Sequence, residues 1–163
     1  MKMILSVDQN WGIGKEGKLL LRLPGDTRHF RQTTEGNIVV MGRKTFLSLP
    51  GGALPNRRNI VLSRSGFTAE NVETVKDIPA LLALLQDAAE EVYIIGGGEI
   101  YRQLLPYTDT IIITKFDVEK EADTFFINLD EAEDWVLAEA SSAREEKGVS
   151  YRICTYRKNN EAD

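Results

Sequence analysis

VYIIGGGEIYRQLL, residues 92–105, decides the fold class. Val92 to Ile95 is an apolar run rich in β-branched side chains, the length of a buried strand and too short for a helix. Gly96-Gly97-Gly98 ends it. Tyr101, Leu104 and Leu105 then recur at helical spacing. A buried strand that passes through a glycine turn into a helix is the repeating unit of an open α/β sheet.

The same alternation runs outward in both directions. Met3 to Val7 reads as a first buried strand, and Asp26 to Thr34 as a short helix. Asn37 to Met41 reads as a strand stopping at Gly42, followed by a short helix over Arg43 to Ser48 and a loop over residues 50–55. Asn59 to Leu62 and residues 72–75 are further strands. A longer helix is expected from Asp77 to about Ala89. Asp77 suits its N-cap, Pro79 its first turn, and Ile78, Leu81, Leu82 and Leu85 form one apolar stripe. Thr110 to Thr114 is another buried strand. Trp135 to Ala140 and Ser150 to Arg157 alternate like an antiparallel hairpin. The expectation is a single α/β domain over residues 1–163. Its central sheet is mixed but mostly parallel and flanked by helices, with a C-terminal antiparallel hairpin. The polar residues 158–163 are expected to be a mobile tail. There is no repeat, low-complexity segment or linker.

Composition removes several function classes. The net charge is −5, which gives little support to a nucleic-acid partner. No apolar run approaches the ~20 residues of a membrane span, and the N-terminus is apolar too briefly for a signal peptide, so a cytoplasmic protein is expected. With no long exposed apolar stripe, a monomer is the default. The one cysteine, Cys154, forbids an internal disulfide and reads as a packed thiol in a strand. The one histidine, His29, lies in an expected helix beside no nucleophile, which argues against a Ser-His-Asp triad. A zinc site would be almost all carboxylate, so no metal is expected. The chemistry therefore falls to a bound cofactor.

Three strand ends favour a phosphate-bearing one. At Val40-Met41-Gly42-Arg43-Lys44-Thr45 a buried strand stops at glycine and a helix opens with two cations and a hydroxyl. That is an anion site or an ordinary charged helix start. Ile94-Ile95-Gly96-Gly97-Gly98 lets a phosphate approach the backbone, or is simply a tight turn. Ser63 and Arg64 follow a third strand and suit an adenosine 2′-phosphate, or form a plain loop. All three lie where open α/β sheets bind ligands. Asp26 and Phe30 share a helix face. Asp26 is either that helix's N-cap or a pocket acid, and the two roles are compatible. If buried without a cation beside it, its carboxyl should hold its proton more tightly, and a ligand with two adjacent N–H donors would pair with both oxygens.

The motifs together resemble the dihydrofolate reductase family over nearly the whole chain. They are Gly12-Ile13-Gly14-Lys15, Leu23-Pro24-Gly25-Asp26, Val40-Met41-Gly42-Arg43-Lys44-Thr45-Phe46, Leu54-Pro55-Asn56-Arg57-Arg58-Asn59, Ile94 through Tyr101, and Ala122-Asp123-Thr124. Six such pieces in this order are specific. The resemblance implies a bacterial-type enzyme that transfers a hydride from NADPH to C6 of dihydrofolate, with a proton reaching N5 through water.

It implies that Asp26 is the single pocket acid, holding the pteridine 2-amino group and N3 with Thr114 as its hydrogen-bond neighbour. Phe30, Leu49 and Leu54 would pack the pteridine and aminobenzoyl groups. Arg57 would pair with the glutamate α-carboxylate, a bidentate task for which lysine is a poor substitute. Ile4 and Ile95 would line the pocket with their carbonyls, beside Leu5 and Ser6. For the cofactor it implies Ser6, Ile13, Gly14, Leu19, Gly42, Arg43, Lys44, Thr45, Leu62, Ser63, Arg64, Ile95, Gly97, Gly98, Ile100, Tyr101 and Thr124. Residues 14–23 would be a mobile loop closing over the nicotinamide.

The chain departs from the family in three places. The usual Leu-Pro-Trp before the acid is Leu19-Leu20-Leu21 here, and Leu21 has no side-chain N–H to hold a water, so water order and loop dynamics are expected to change. Glu99 stands where some relatives carry a cation near the 2′-phosphate, leaving Arg43 and Arg64 for that group. The loop Pro50-Gly51-Gly52-Ala53 differs in length from some relatives. Two other readings are a reductase of another pterin or a pyrimidine on this fold, and a nucleotide-binding module without catalysis. Asp26, Phe30 and Arg57 together favour pteridine plus glutamate over both.

Overall fold

The structure, a computed structural model, describes residues 1–159. Its main sheet contains β1 (Lys2–Val7), β4 (Ile38–Gly42), β5 (Arg58–Leu62), β6 (Val72–Val75), β7 (Val92–Gly96), β8 (Thr110–Phe116), β10 (Trp135–Ala140), β11 (Arg144–Glu146) and β12 (Val149–Lys158). A small second sheet contains β2 (Gly12–Lys15), β3 (Lys18–Leu19) and β9 (Thr124–Phe125). The helices are α1 (Pro24–Thr34), α2 (Arg43–Ser48), α3 (Ile78–Leu85) and α4 (Gly98–Leu104), the last running into a 3₁₀ turn at Leu105–Tyr107.

The main sheet runs β10-β12-β8-β1-β7-β4-β5-β6, with β11 also on β12. From β8 to β6 every neighbour is parallel; β12 is antiparallel to β8, β10 and β11. The chain lays down β1, moves outward through β4, β5 and β6, and returns to insert β7 between β1 and β4. It then places β8 on the far side of β1. This reversal opens a crevice at the strand C-termini, where such sheets bind ligands. The single-domain α/β architecture agrees with the sequence expectation.

The strand period divides the core. Met3, Ile38, Val40, Ile60 and Ile94 belong to one cluster; Ile4, Val39, Met41, Val61 and Tyr93 belong to the opposite one. Alternate residues of one strand serve opposite faces, and a parallel sheet covered on both faces needs apolar side chains at both.

Four local expectations change. First, α1 begins at Pro24, with Leu23 in the N-cap position and no side chain capping it. Asp26 is therefore a first-turn residue, not the cap; Pro at the first helical position presets the backbone there. Second, α3 stops at Leu85, short of Ala89, with Gln86 in the C-cap position; Ala88 still packs on the core from the turn that follows. Third, residues 14–23 are not one loop. Glu16 and Gly17, both at positive φ, turn β2 into β3, and β9 adds to β2. Strands of two to four residues carry too little alternation to be seen in sequence. Fourth, the first strand of the C-terminal hairpin is interrupted: β10 and β11 both pair with β12, and the tight turn is Lys147-Gly148. Lys158 is still in β12 and Asn159 donates its N–H to the Asp134 carbonyl at 2.7 Å. The rest of the expected tail, 160–163, lies outside the described residues.

Candidate active site

The crevice is lined from several elements. On its apolar side Phe30 from α1, Leu49 after α2, Ala53 and Leu54 from the following loop, and Ile95 from β7 gather around Ile4, Met41 and Phe46. The order in which β1, β4 and β7 lie side by side brings these together from positions far apart in the chain.

Asp26 projects beside this wall. Thr114, buried on β8, donates its hydroxyl to Asp26 Oδ1 at 2.6 Å. Burial is the main influence on the Asp26 carboxyl and pushes its pKa up; the Thr114 bond and the positive charge of His29 oppose the shift, and Glu146 adds to it. His29, one turn along α1, is in turn pushed down by burial. An acid with one oxygen anchored and no cation in direct contact is suited to paired N–H donors of a neutral ligand ring.

Arg57 is held at the far end of the wall. Its Nε donates to the Pro55 carbonyl at 2.9 Å and its Nη1 to Thr34 Oγ1 at 3.0 Å. The guanidinium carbon lies 6.0 Å from the centroid of the Phe30 ring. Two internal bonds and a ring contact fix the plane of the fork, which leaves its remaining edge to meet a carboxylate in one orientation.

The phosphate-type strand ends converge on the other side. Gly42 and Gly97, the N-cap positions of α2 and α4, offer no side-chain cap, so backbone N–H groups of both helix starts remain for another acceptor. Gly96 has φ 125°, a conformation closed to most side chains, and its peptide bond to Gly97 is cis. Close packing explains two more small residues. A Cβ on Gly42 would stand 2.8 Å from Ile100 Cγ1 and one on Gly98 would stand 2.7 Å from Thr124 Cγ2. Ile13, Thr124 and Gly98 thus meet where the small sheet touches the start of α4, and Gly14 pairs with Thr124. Arg43 and Lys44 are exposed at the mouth, with the Arg43 guanidinium 5.8 Å from the Phe67 ring. Ser63 and Arg64 follow buried Leu62 at the end of β5.

The other residues named from the sequence are placed as follows. The buried Tyr101 hydroxyl donates to the Ile4 carbonyl at 3.1 Å, and burial raises its pKa. It braces the wall of β1 from inside the core. Leu19 is 53% exposed on β3. Leu5 and Ser6 are half-buried on β1, and Ser6 stands opposite Thr114 in the strand register. Leu21 packs with Leu23, Phe116 and Tyr151, away from the apolar wall. Glu99 is bonded to Arg102 and Gln103, which hold its carboxyl below the usual range. Its charge is matched locally before any phosphate approaches. Sequence reading missed Glu146 and Tyr151, which touch the start of α1; the Lys147-Gly148 turn between alternating residues was the one available signal.

Among the described residues no group of three or more His, Cys, Asp or Glu could hold a metal ion, and no helix is long and apolar enough to cross a membrane.

Comparison with known proteins agrees with this geometry. The family model described as dihydrofolate reductase matches residues 1–158. The chain is 44% identical over 127 residues to the dihydrofolate reductase type 3 of Salmonella typhimurium, covering 77% of each chain. It is 39% identical over 156 residues to the dihydrofolate reductase of Neisseria gonorrhoeae, covering 94% of this chain and 95% of that one. A solved dihydrofolate reductase from Enterococcus faecalis, complexed with NADP(H) and RAB-propyl, superposes with a TM-score of 0.86 at 32% identity, over 98% of this chain and 96% of that chain. A family-model match over residues 1–158, with relatives at 39–44% identity and a solved structure that superposes over 98% of the chain, makes this protein a member of the dihydrofolate reductase family.

Proposed function

We propose that the protein reduces 7,8-dihydrofolate to 5,6,7,8-tetrahydrofolate with NADPH, supplying reduced folate for one-carbon metabolism. The observation that carries the reading is the half-buried Asp26, anchored by Thr114 beside the Phe30 wall, with Arg57 fixed at the other end of that wall. An acid at one end and a guanidinium at the other match a ring that donates two N–H groups and a tail that ends in a carboxylate.

The residues fit the cofactor. The uncapped helix starts at Gly42 and Gly97 and the exposed Arg43 and Lys44 suit a pyrophosphate; Arg64 suits a 2′-phosphate. Pairing with Arg102 offsets the Glu99 charge, which would otherwise repel a 2′-phosphate. When bound, NADPH supplies the hydride for C6.

The chain's own residues do the rest. Asp26 binds the 2-amino group and N3, and Thr114 fixes which oxygen faces the ring. Phe30, Leu49 and Leu54 exclude water from the ring faces. Arg57 takes the glutamate α-carboxylate. The Ile4 carbonyl, braced by Tyr101, and Ile95 bound the pocket floor. Asp26 acts by binding and by its charge, while the N5 proton arrives from water.

The protein acts as a monomer in the cytoplasm with no nucleic-acid partner. The net charge of −5, the short edge strand β6 and the bulge that breaks the pairing of edge strand β10 support this, and the buried lone thiol of Cys154 suits a reducing compartment. The deciding assay follows NADPH oxidation at the nicotinamide absorbance with and without dihydrofolate, and repeats it with NADH. A substrate-dependent rate, faster with NADPH, is expected; the absence of any such rate overturns the reading.

A further inference from the structure

The first turn of α1 is held from outside the helix. Leu23, at its N-cap, has no side-chain acceptor, so the free N–H groups of that turn need another partner. Glu146, at the end of β11, provides it. Its Oε1 accepts from the Gly25 N–H at 2.8 Å and from the Tyr151 hydroxyl at 2.9 Å.

Both partners are fixed in place. Lys147 and Gly148 have φ of 50° and 77°, a two-residue hairpin turn that sets Glu146 directly across from Val149. Tyr151 is 3% exposed, shares a cluster with Leu23 and Phe116, and meets the Phe116 ring edge-on at 5.7 Å. The identity of residue 25 follows from this contact. A Cβ on Gly25 would stand 2.6 Å from the Tyr151 hydroxyl and nearer still to Glu146 Oε1. A carboxylate, a phenol and a glycine thus form one clamp immediately before Asp26 in the chain. Thr114 secures Asp26 itself from the sheet.

We propose that Glu146 and Tyr151 are positioning residues for the reduction: they lock the first turn of α1 onto the C-terminal hairpin and so set where the Asp26 carboxylate meets the pteridine. This rests on the assignment of Asp26 as the pteridine acid. Tyr151 belongs to a different side-chain cluster from the Phe30 wall, so the clamp acts through the helix backbone. Glu146 also acts through its charge. The groups that face Asp26 are Thr114 on β8, His29 on α1 and Glu146 on β11, and Arg144 stands near His29. Of these, Glu146 favours the protonated acid.

The test compares Glu146→Ala, Glu146→Gln and Tyr151→Phe, with Asp26→Asn as reference. Each is measured for both KM values, kcat, the pH–rate profile and Tm. Glu146→Ala raises KM for dihydrofolate about five- to tenfold and leaves KM for NADPH within about twofold. Tyr151→Phe moves KM the same way by less. Glu146→Gln keeps an acceptor for both donors, so it returns KM to within about twofold of the parent, while loss of the charge shifts the Asp26 titration to lower pH.

An unchanged KM for dihydrofolate in Glu146→Ala, an equal rise in both KM values, or a loss of Tm alone overturns the clamp. If Glu146→Ala does not fold, an unmoved pH profile in Glu146→Gln with an unmoved KM in Tyr151→Phe overturns it. Asp26→Asn separates the two readings. Parental kcat/KM in that variant removes the pteridine-acid assignment, whereas its loss alongside unaffected Glu146 and Tyr151 variants removes the clamp alone.

Discussion

Replacing Asp26 by Asn tests the site where charge and shape separate cleanly. Asn has the same outline, and its Oδ1 can still accept from Thr114, the bond made at 2.6 Å in the parent. Its amide nitrogen then faces the ligand, where a carboxylate oxygen stood. Two ring N–H donors that met an anion now meet one donor. A hydrogen bond to a charged group contributes about 1.5–3 kcal/mol, and a buried donor left unpaired costs a further ~1–3 kcal/mol. The sum, about 2.5–6 kcal/mol, corresponds to a loss of roughly two to four orders of magnitude in kcat/KM for dihydrofolate. KM for NADPH should stay near the parental value, since Asp26 is not among the residues assigned to the cofactor.

The stability change should have the opposite sign. Burial raises the Asp26 pKa, so above the ordinary carboxylate range the folded state binds more protons than the unfolded one. Stability from this group is therefore present at low pH and lost as pH rises through its folded pKa. Asn carries no such burden, so without ligand the variant should melt higher than the parent at pH 7, with the difference shrinking towards pH 4. The assays are steady-state NADPH oxidation and thermal unfolding across pH. A kcat/KM within threefold of the parent, or a Tm below the parent at pH 7, would refute the reasoning.

Other outcomes follow from the same geometry. Arg57→Lys keeps the charge but loses the planar fork braced by Pro55, Thr34 and Phe30; KM for dihydrofolate should rise by about 10- to 100-fold with little change in kcat, as steady-state kinetics will read. Thr114→Val removes the hydrogen bond that lowers the Asp26 pKa, so the acid limb of the pH–rate profile should move to higher pH. Gly25→Ala in a helix would ordinarily stabilise by about 0.5–1 kcal/mol; here the methyl meets Tyr151 and Glu146, and urea unfolding should show a loss of about 1–3 kcal/mol instead.

The sequence by itself determined the parallel α/β core, because each buried strand and each amphipathic helix is a local pattern of four to ten residues whose burial follows from its own spacing. It also pointed to the strand ends at Gly42, Leu62 and Gly96, since a glycine or hydroxyl beside a cation is local too. The role of Asp26 was not legible in this way. Its local context allowed both a cap and a pocket acid. The structure gives the cap position to Leu23 and sets Thr114, 88 positions away and named as its neighbour from the resemblance, against the carboxylate; the proposed pteridine role rests on that placement. The small sheet stayed hidden for the same reason: β2 gains its second partner only because Thr124 is brought beside Gly14, and two-residue strands have no signal of their own. Glu146 lies 121 positions from Gly25, so the clamp exists only once the hairpin has docked. Periodicity reports what a segment buries; which distant group completes its hydrogen bonds is settled by the packing of the whole chain.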